Sequence, residues 1–313
     1  ATLSWSDVSD DDISYFVVEC KQSDGVWKSV SRTSTNLGVN LSGLTPEHDY
    51  VYRVIGYDKR SNRGTPSEEI IVTTLKDTIC PKVTKITPDP GYFKSEINLR
   101  FTAEDDYRVK SIEIQTSTDK ESWKTVSEIK ATGESAKCTF DCKLDLKNYE
   151  EGSVFVRAKV YDSYGNVTED KDLTCYEYVV DRTAPVQPTG VTASSGETEG
   201  GSSFVNISWN AITDDNSFAY YRVYKSNSAD GEFTLLKNNV KTVNTYDENV
   251  DFSATYYYKV EAVDLAGNVG KQSGVVSCKV KDDTEKPVIY DLSPVDGTRI
   301  GNNNNSVTVA ASD

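Results

Sequence analysis

The sequence predicts an all-β chain, a series of tandem β-sandwiches in an elongated array. Two observations carry that expectation. First, β-branched and aromatic residues recur with a period of two, as in Tyr15-Phe16-Val17-Val18, Val51-Tyr52-Arg53-Val54, Ser111-Ile112-Glu113-Ile114, Val154-Phe155-Val156-Arg157-Ala158 and Tyr256-Tyr257-Tyr258-Lys259-Val260. This is strand spacing, and no segment sustains a helical stripe. Second, two unrelated phrases repeat with one period. A linker phrase occurs as Asp77-Thr78-Ile79-Cys80-Pro81, Asp181-Arg182-Thr183-Ala184-Pro185 and Asp283-Thr284-Glu285-Lys286-Pro287. A turn phrase led by Asp58, Asp162 and Asp264 keeps the same steps of 104 and 102 residues. A shared period means tandem units.

The 313 residues then divide into four stretches: 1–76, 77–181, 182–282 and 283–313. Thr2-Leu3-Ser4-Trp5 matches Asn206-Ile207-Ser208-Trp209, so the first stretch is expected to lack its opening strand. Stretch 283–313 is expected to hold the first strands of an incomplete fourth unit, either disordered or ordered only through contact with its neighbour or another chain. Within each unit a strand bearing Trp5, Leu99 or Trp209 precedes an acidic loop at 10–12, 104–106 or 214–216. A hairpin follows, ending on Trp27, Trp123 or Phe233, and these aromatics are expected to cover one end of the core. Hydrophobic residues make up 37% of the chain, which suits several small cores better than one large one.

Leu44-Thr45-Pro46-Glu47-His48-Asp49-Tyr50-Val51-Tyr52-Arg53-Val54 resembles the strand E to F segment of fibronectin type III domains. The resemblance makes Tyr50 the tyrosine-corner residue, whose hydroxyl bonds to the backbone upstream. Tyr256 takes the same place in the third unit, although Val250-Asp251-Phe252 replaces the Leu-x-Pro that precedes the corner. The second unit has Val154 at the corner and Leu99 in place of the tryptophan, and resembles a bacterial Ig-like domain instead. Ile289-Tyr290-Asp291-Leu292-Ser293-Pro294 echoes Val83-Thr84-Lys85-Ile86-Thr87-Pro88, so the two sandwich types alternate. The linkers and turns resemble those of large secreted or surface proteins of Gram-positive bacteria. The resemblance implies an extracellular or cell-surface location, with neighbouring domains of the same parent chain as partners.

A net charge of −15 argues against nucleic acid, whose phosphates require a basic surface. No apolar run approaches the ~20 residues that span a bilayer, so no membrane insertion is expected in this segment. Catalysis has little support. The one histidine, His48, lies on a turn without a nucleophile beside it. The glycines between Gly196 and Gly201 are interspersed with acidic residues, which would repel phosphate. Six cysteines are too few for a disulfide scaffold, and a Cys80–Cys175 bridge stands beside free buried thiols as the alternative.

Carboxylates are the candidate ligands. In a sandwich of this kind the linker, the loop after the first core strand and the aspartate-led turn meet at one pole. This gathers Asp77, Asp105, Asp106, Asp162 and Asn166 in the second unit, and Asp181, Asp214, Asp215, Asp264 and Asn268 in the third. Calcium takes six to eight oxygen ligands and would relieve their mutual repulsion. Turn formation and solubility explain the same residues without a metal. Tyrosines around Tyr257 offer a sugar-stacking surface, with cross-strand packing as the plain alternative. The resulting expectation is a non-catalytic spacer or stalk, possible calcium at its joints, in a large extracellular bacterial protein. Two alternatives stand beside it: adhesin domains binding a glycan or host surface protein, and accessory modules of a secreted polysaccharide hydrolase.

Overall fold

A computed structural model describes residues 1–6, 11–34, 36–199, 201–213, 215–284, 288–293 and 308–312. Strands dominate it, and the one helical element among the described residues is a single 3₁₀ turn at Asp170–Asp172. Among the described residues no helix is long and apolar enough to cross a membrane.

In chain order the strands are β1 (Thr2–Ser4), β2 (Ile13–Lys21), β3 (Trp27–Thr33), β4 (Gly38–Asn40), β5 (Asp49–Asp58) and β6 (Ile70–Thr73), then β7 (Lys82–Thr87), β8 (Tyr92–Phe93), β9 (Glu96–Ser117), β10 (Lys124–Asp145), β11 (Gly152–Asp162) and β12 (Tyr176–Val180). They continue as β13 (Thr192–Glu197), β14 (Ser203–Ser208), β15 (Phe218–Ser226), β16 (Thr234–Val240), β17 (Asn244–Asp247), β18 (Thr255–Asp264) and β19 (Val276–Lys279), with β20 (Val288–Ser293) and β21 (Thr308–Ser312) at the end. Two compact units result. One comprises Ala1–Asp89, Ile97–Asp145 and Val154–Glu177; the other comprises Pro90–Glu96, Leu146–Ser153 and Tyr178–Asp313.

In the first unit, β1 pairs with β4, and a second sheet runs β3-β2-β5-β6. Leu3, Val18, Cys20 and Tyr52 are buried between them, flanked by Trp5, Val39 and Val72. A third sheet contains β10-β9-β11, with β7 antiparallel to β9 through Val83↔Ala103 and Ile86↔Phe101. Every second residue is buried: Ile97, Leu99, Phe101 and Ala103 on β9, and Val154, Val156, Ala158 and Val160 on β11. Burial of each valine, leucine, isoleucine or phenylalanine among them contributes roughly 1.5–3 kcal/mol.

The expected acidic loop at 104–106 is absent here, because those residues lie inside the continuous strand β9. The amides of Tyr107 and Arg108 donate to Asp105 Oδ2 at 3.2 and 3.0 Å. A side chain thus takes donors that a straight ladder would have paired, and the strand passes the acidic residues without a break.

In the second unit, β8 runs parallel to the end of β12 (Val179↔Tyr92, Val180↔Phe93). Sheets β13-β14-β17 and β16-β15-β18-β19 enclose Val205, Ile207, Trp209, Tyr221, Val223, Tyr258 and Val260. Asp247, fully buried, accepts Tyr258 Oη at 2.8 Å and pairs with Lys225 Nζ at 2.7 Å. Strands β20 and β21 pair antiparallel. Much of the stretch expected to hold the incomplete unit lies outside the described residues.

Both tyrosine corners form. Tyr50 Oη accepts from Thr45 N at 2.8 Å, and Tyr256 Oη accepts from Asp251 N at 3.1 Å. The hairpin aromatics do not cap the core as expected. Trp27, Trp123 and Phe233 are partly exposed, lying under Arg53, Arg157 and Lys259 at 4.0, 4.0 and 4.1 Å. Each cation reaches across one intervening strand of its sheet, gains more over an aromatic face than over bare backbone, and shields that face from water.

Candidate functional site

The aspartate-led turn has the same construction three times. Asp58, Asp162 and Asp264 each accept the backbone amide of the asparagine four residues on (Asn62, Asn166, Asn268) at 2.7–2.8 Å, and with the other oxygen accept its side-chain amide at 2.6–2.8 Å. A short bridge closes each turn: Tyr57↔Arg63, Tyr161↔Val167 and Val263↔Val269. The fourth position adopts positive φ: +66° at Ser61, +93° at Gly165 and +79° at Gly267. Turn chemistry is therefore the first role of these aspartates, and Asp162 and Asp264 perform it almost fully buried.

Two of these turns also grip the linker. Asn166 Nδ2 donates to the carbonyl of Asp77 at 3.2 Å, and Asn268 Nδ2 donates to the carbonyl of Asp181 at 3.0 Å. Each linker aspartate forms a small turn of its own, Asp77 Oδ1 accepting Ile79 N at 3.0 Å and Asp181 Oδ1 accepting Thr183 N at 3.1 Å.

Of the residues expected to ligate a metal, the structure brings three together. One carboxylate oxygen each from Asp77, Asp105 and Asp162 lies within 4.8 Å of the others. Asn166 adjoins this group through Asp162 and the Asp77 carbonyl, while Asp106 is exposed at its edge. Burial pushes the Asp77 and Asp105 carboxyls above their usual range, and the charges of neighbouring aspartates push the same way.

The third-unit set differs. Asp181 is only half-buried, whereas Asp77 is buried; Asp264, like Asp162, gives both oxygens to its turn asparagine. Asp215 Oδ1 accepts the amide and hydroxyl of Ser217 at 2.8 and 2.6 Å. Asp214 lies outside the described residues. Among those residues, Asp77, Asp105 and Asp162 form the sole cluster of metal-ligating type.

Elsewhere the expected chemistry has simpler partners. Tyr257 is half-buried between Ser226 and Ser277 on adjacent strands, while Tyr221, Tyr256 and Tyr258 point inward. His48 is exposed, its ring edge-on to Tyr50 at 4.7 Å. The Cys80–Cys175 bridge does not form. All six cysteines are free thiols; Cys80 has Glu169 and Lys171 as neighbours, whereas Cys175 faces Lys120 and Arg157.

Sequence reasoning missed several joint residues. Tyr107 Oη donates to Thr45 Oγ1 at 3.1 Å, and the Tyr107 and Tyr164 rings meet at 5.6 Å. Arg182 donates to the carbonyls of Lys94, Leu146 and Tyr149 at 3.2, 2.7 and 3.1 Å, and Lys94 Nζ donates to the Gly267 carbonyl at 2.8 Å. The only signal for Arg182 was its position after a linker aspartate. The others had none: the backbone acceptor of Lys94 leaves no mark in a sequence, and the partners of Tyr107 are distant along the chain.

Residues 1–73 match the family model of the fibronectin type III domain. Over 293 residues the chain is 27% identical to Exoglucanase B of Cellulomonas fimi, a match covering 90% of this chain and 24% of that protein. It is 34% identical over 109 residues to the Amylopullulanase of Thermoanaerobacter thermohydrosulfuricus, covering 33% of this chain and 7% of the relative. The chain therefore spans a quarter or less of the relatives it matches. Among solved structures it is similar to the FN1–FN3 domains of chicken CNTN1, with 17% identity, 90% and 94% coverage and a TM-score of 0.47. The chain is all-β and folds into β-sandwiches, and its residues 1–73 are the stretch similar to the fibronectin type III domain.

Proposed function

We propose that this chain is a non-catalytic spacer, an accessory segment of a larger extracellular bacterial enzyme that hydrolyses polysaccharides. The observation that carries this reading is the repeated grip on the linker. Asn166 holds the Asp77 carbonyl and Asn268 holds the Asp181 carbonyl, each from a turn that is itself closed by a buried aspartate. Hydrogen bonds of this kind, partly buried, are costly to leave unmade, so they hold each linker against the sandwich that follows it. Proline at 81 and 185 restricts it further by fixing φ. Such fixed joints suit a segment that sets the distance and orientation of other modules.

The names of the relatives, an exoglucanase and an amylopullulanase, favour a hydrolase parent over an adhesin. The test is direct. The purified chain is incubated with cellulose, starch and chitin, and both released sugar and retention on the solid are measured. We expect neither. Sugar release would overturn the non-catalytic reading. Retention lost in Tyr257→Ala would replace the spacer with a glycan-binding module.

A further inference from the structure

We propose that Asp77, Asp105 and Asp162 form a binding site for one hard divalent cation, of the calcium class, where the linker enters the second sandwich. The three carboxylates come from separate stretches, the linker, the middle of β9 and the end of β11, and one oxygen from each lies within 4.8 Å of the other two. Asp77 is 6% exposed and Asp162 1% exposed. Asp77 Oδ2 and Asp105 Oδ1 are buried without any hydrogen-bond partner. Buried polar atoms in native folds are almost always paired, and two unpaired carboxylate oxygens in one cluster require a ligand.

Neighbouring donors fix the orientation. Asp77 Oδ1 is held by Ile79 N and Asp105 Oδ2 by Tyr107 N and Arg108 N, while Asp162 accepts from Asn166 with both oxygens. Among the described residues no lysine or arginine pairs with any of the three; Arg108, on the same strand as Asp105, pairs with Glu134 at 2.8 Å. Adjacent carboxylates without a counter-charge repel one another. An all-oxygen donor set with no imidazole or thiolate selects hard cations. Three carboxylates each fixed by its own turn or strand suit the flexible shell of calcium better than the strict octahedron of magnesium, with water completing the coordination. The site stands or falls independently of the spacer role, because a cation can bind here whatever the array carries.

Calorimetric titration of the chelator-treated chain with calcium, and separately with magnesium, tests this. We expect one calcium per chain with affinity of order ~10⁻⁴–10⁻³ M, the range of extracellular modules, and weaker magnesium binding. At a calcium concentration one hundred times Kd, the folding equilibrium constant rises about a hundredfold. Asp105→Asn and Asp77→Asn should abolish binding, whereas Asp181→Asn and Asp215→Asn should keep it. Without calcium, Asp105→Asn should melt no lower than the parent, since it relieves repulsion; this separates loss of a ligand from loss of fold. Three results would each overturn the proposal: no heat beyond dilution in the parent chain, binding unchanged in Asp105→Asn, or a melting point that ignores calcium and rises only on acidification, as for a shared proton.

Discussion

The side-chain amide of Asn166 serves two acceptors, Asp162 Oδ2 at 2.6 Å and the carbonyl oxygen of Asp77 at 3.2 Å. One hydrogen closes a turn and the other ties that turn to the preceding linker. Asn268 repeats both bonds, to Asp264 at 2.8 Å and to Asp181 at 3.0 Å. In the first sandwich the closure exists between Asn62 and Asp58 at 2.7 Å.

Replacing Asn166 or Asn268 with alanine removes both bonds and leaves a buried aspartate oxygen without its donor. We expect each variant to lose about 1–3 kcal/mol of stability, read by chemical denaturation. Asn62→Ala should lose less, because Asp58 is only half-buried where Asp162 and Asp264 are almost fully so. Equal losses at all three sites would mean that the linker bond contributes nothing.

Ser61 holds φ +66° where the two later turns use glycine. A side chain in the left-handed region costs roughly 1–2 kcal/mol, partly offset by the greater backbone freedom of glycine. Ser61→Gly should therefore stabilise the first sandwich by about 0.5–1 kcal/mol, and Gly165→Ser should destabilise the second by a similar amount. Thermal melts of the two variants check the pair.

Lys225 counters the buried charge of Asp247 at 2.7 Å. Lys225→Met would leave that carboxylate unpaired, and a loss of about 3–5 kcal/mol is expected. Lys225→Met combined with Asp247→Asn should recover part of it. A double-mutant cycle by denaturation measures the coupling.

Alkaline stability depends on two buried tyrosines. Burial first, then neighbouring charges, pushes the Tyr52 hydroxyl up to about 12, and Tyr258 is pushed upward by burial and by Asp247. A folded-state value above the unfolded one means the folded chain keeps its proton after the unfolded chain has lost it. The resulting stability is complete below pH ~10 and is lost as pH rises from there towards 12. Tyrosinate absorbance should show these two hydroxyls ionising only with unfolding. Their titration in a still-folded chain would contradict this.

The sandwich fold was legible because its signals are local or periodic. Alternation marked β5, β11 and β18, and the tyrosine-corner phrase placed Tyr50 and Tyr256 correctly. The shared period of two phrases located turns that the structure repeats bond for bond. Less was legible where a side chain competes with the backbone ladder. Asp105 looked like a loop residue, yet by taking two amides it lets β9 continue through the acidic stretch. The metal candidates were gathered by topology alone, which treated the second and third units alike. Their difference lies in burial and in Ser217, which occupies an oxygen of Asp215. The hairpin aromatics were misplaced because strand order, not local sequence, sets Arg53, Arg157 and Lys259 above them.

The central claim, that the asparagine grip fixes the joint, is tested most directly by nuclear magnetic relaxation of backbone amides on either side of the Asp77 linker. The account expects amides in 11–73 and in 97–145 to report one common rotational correlation time in the parent chain. It expects two different times in Asn166→Ala, with both sandwiches still folded. Separate correlation times already present in the parent chain would contradict it, and Asn166 would then be a turn residue only.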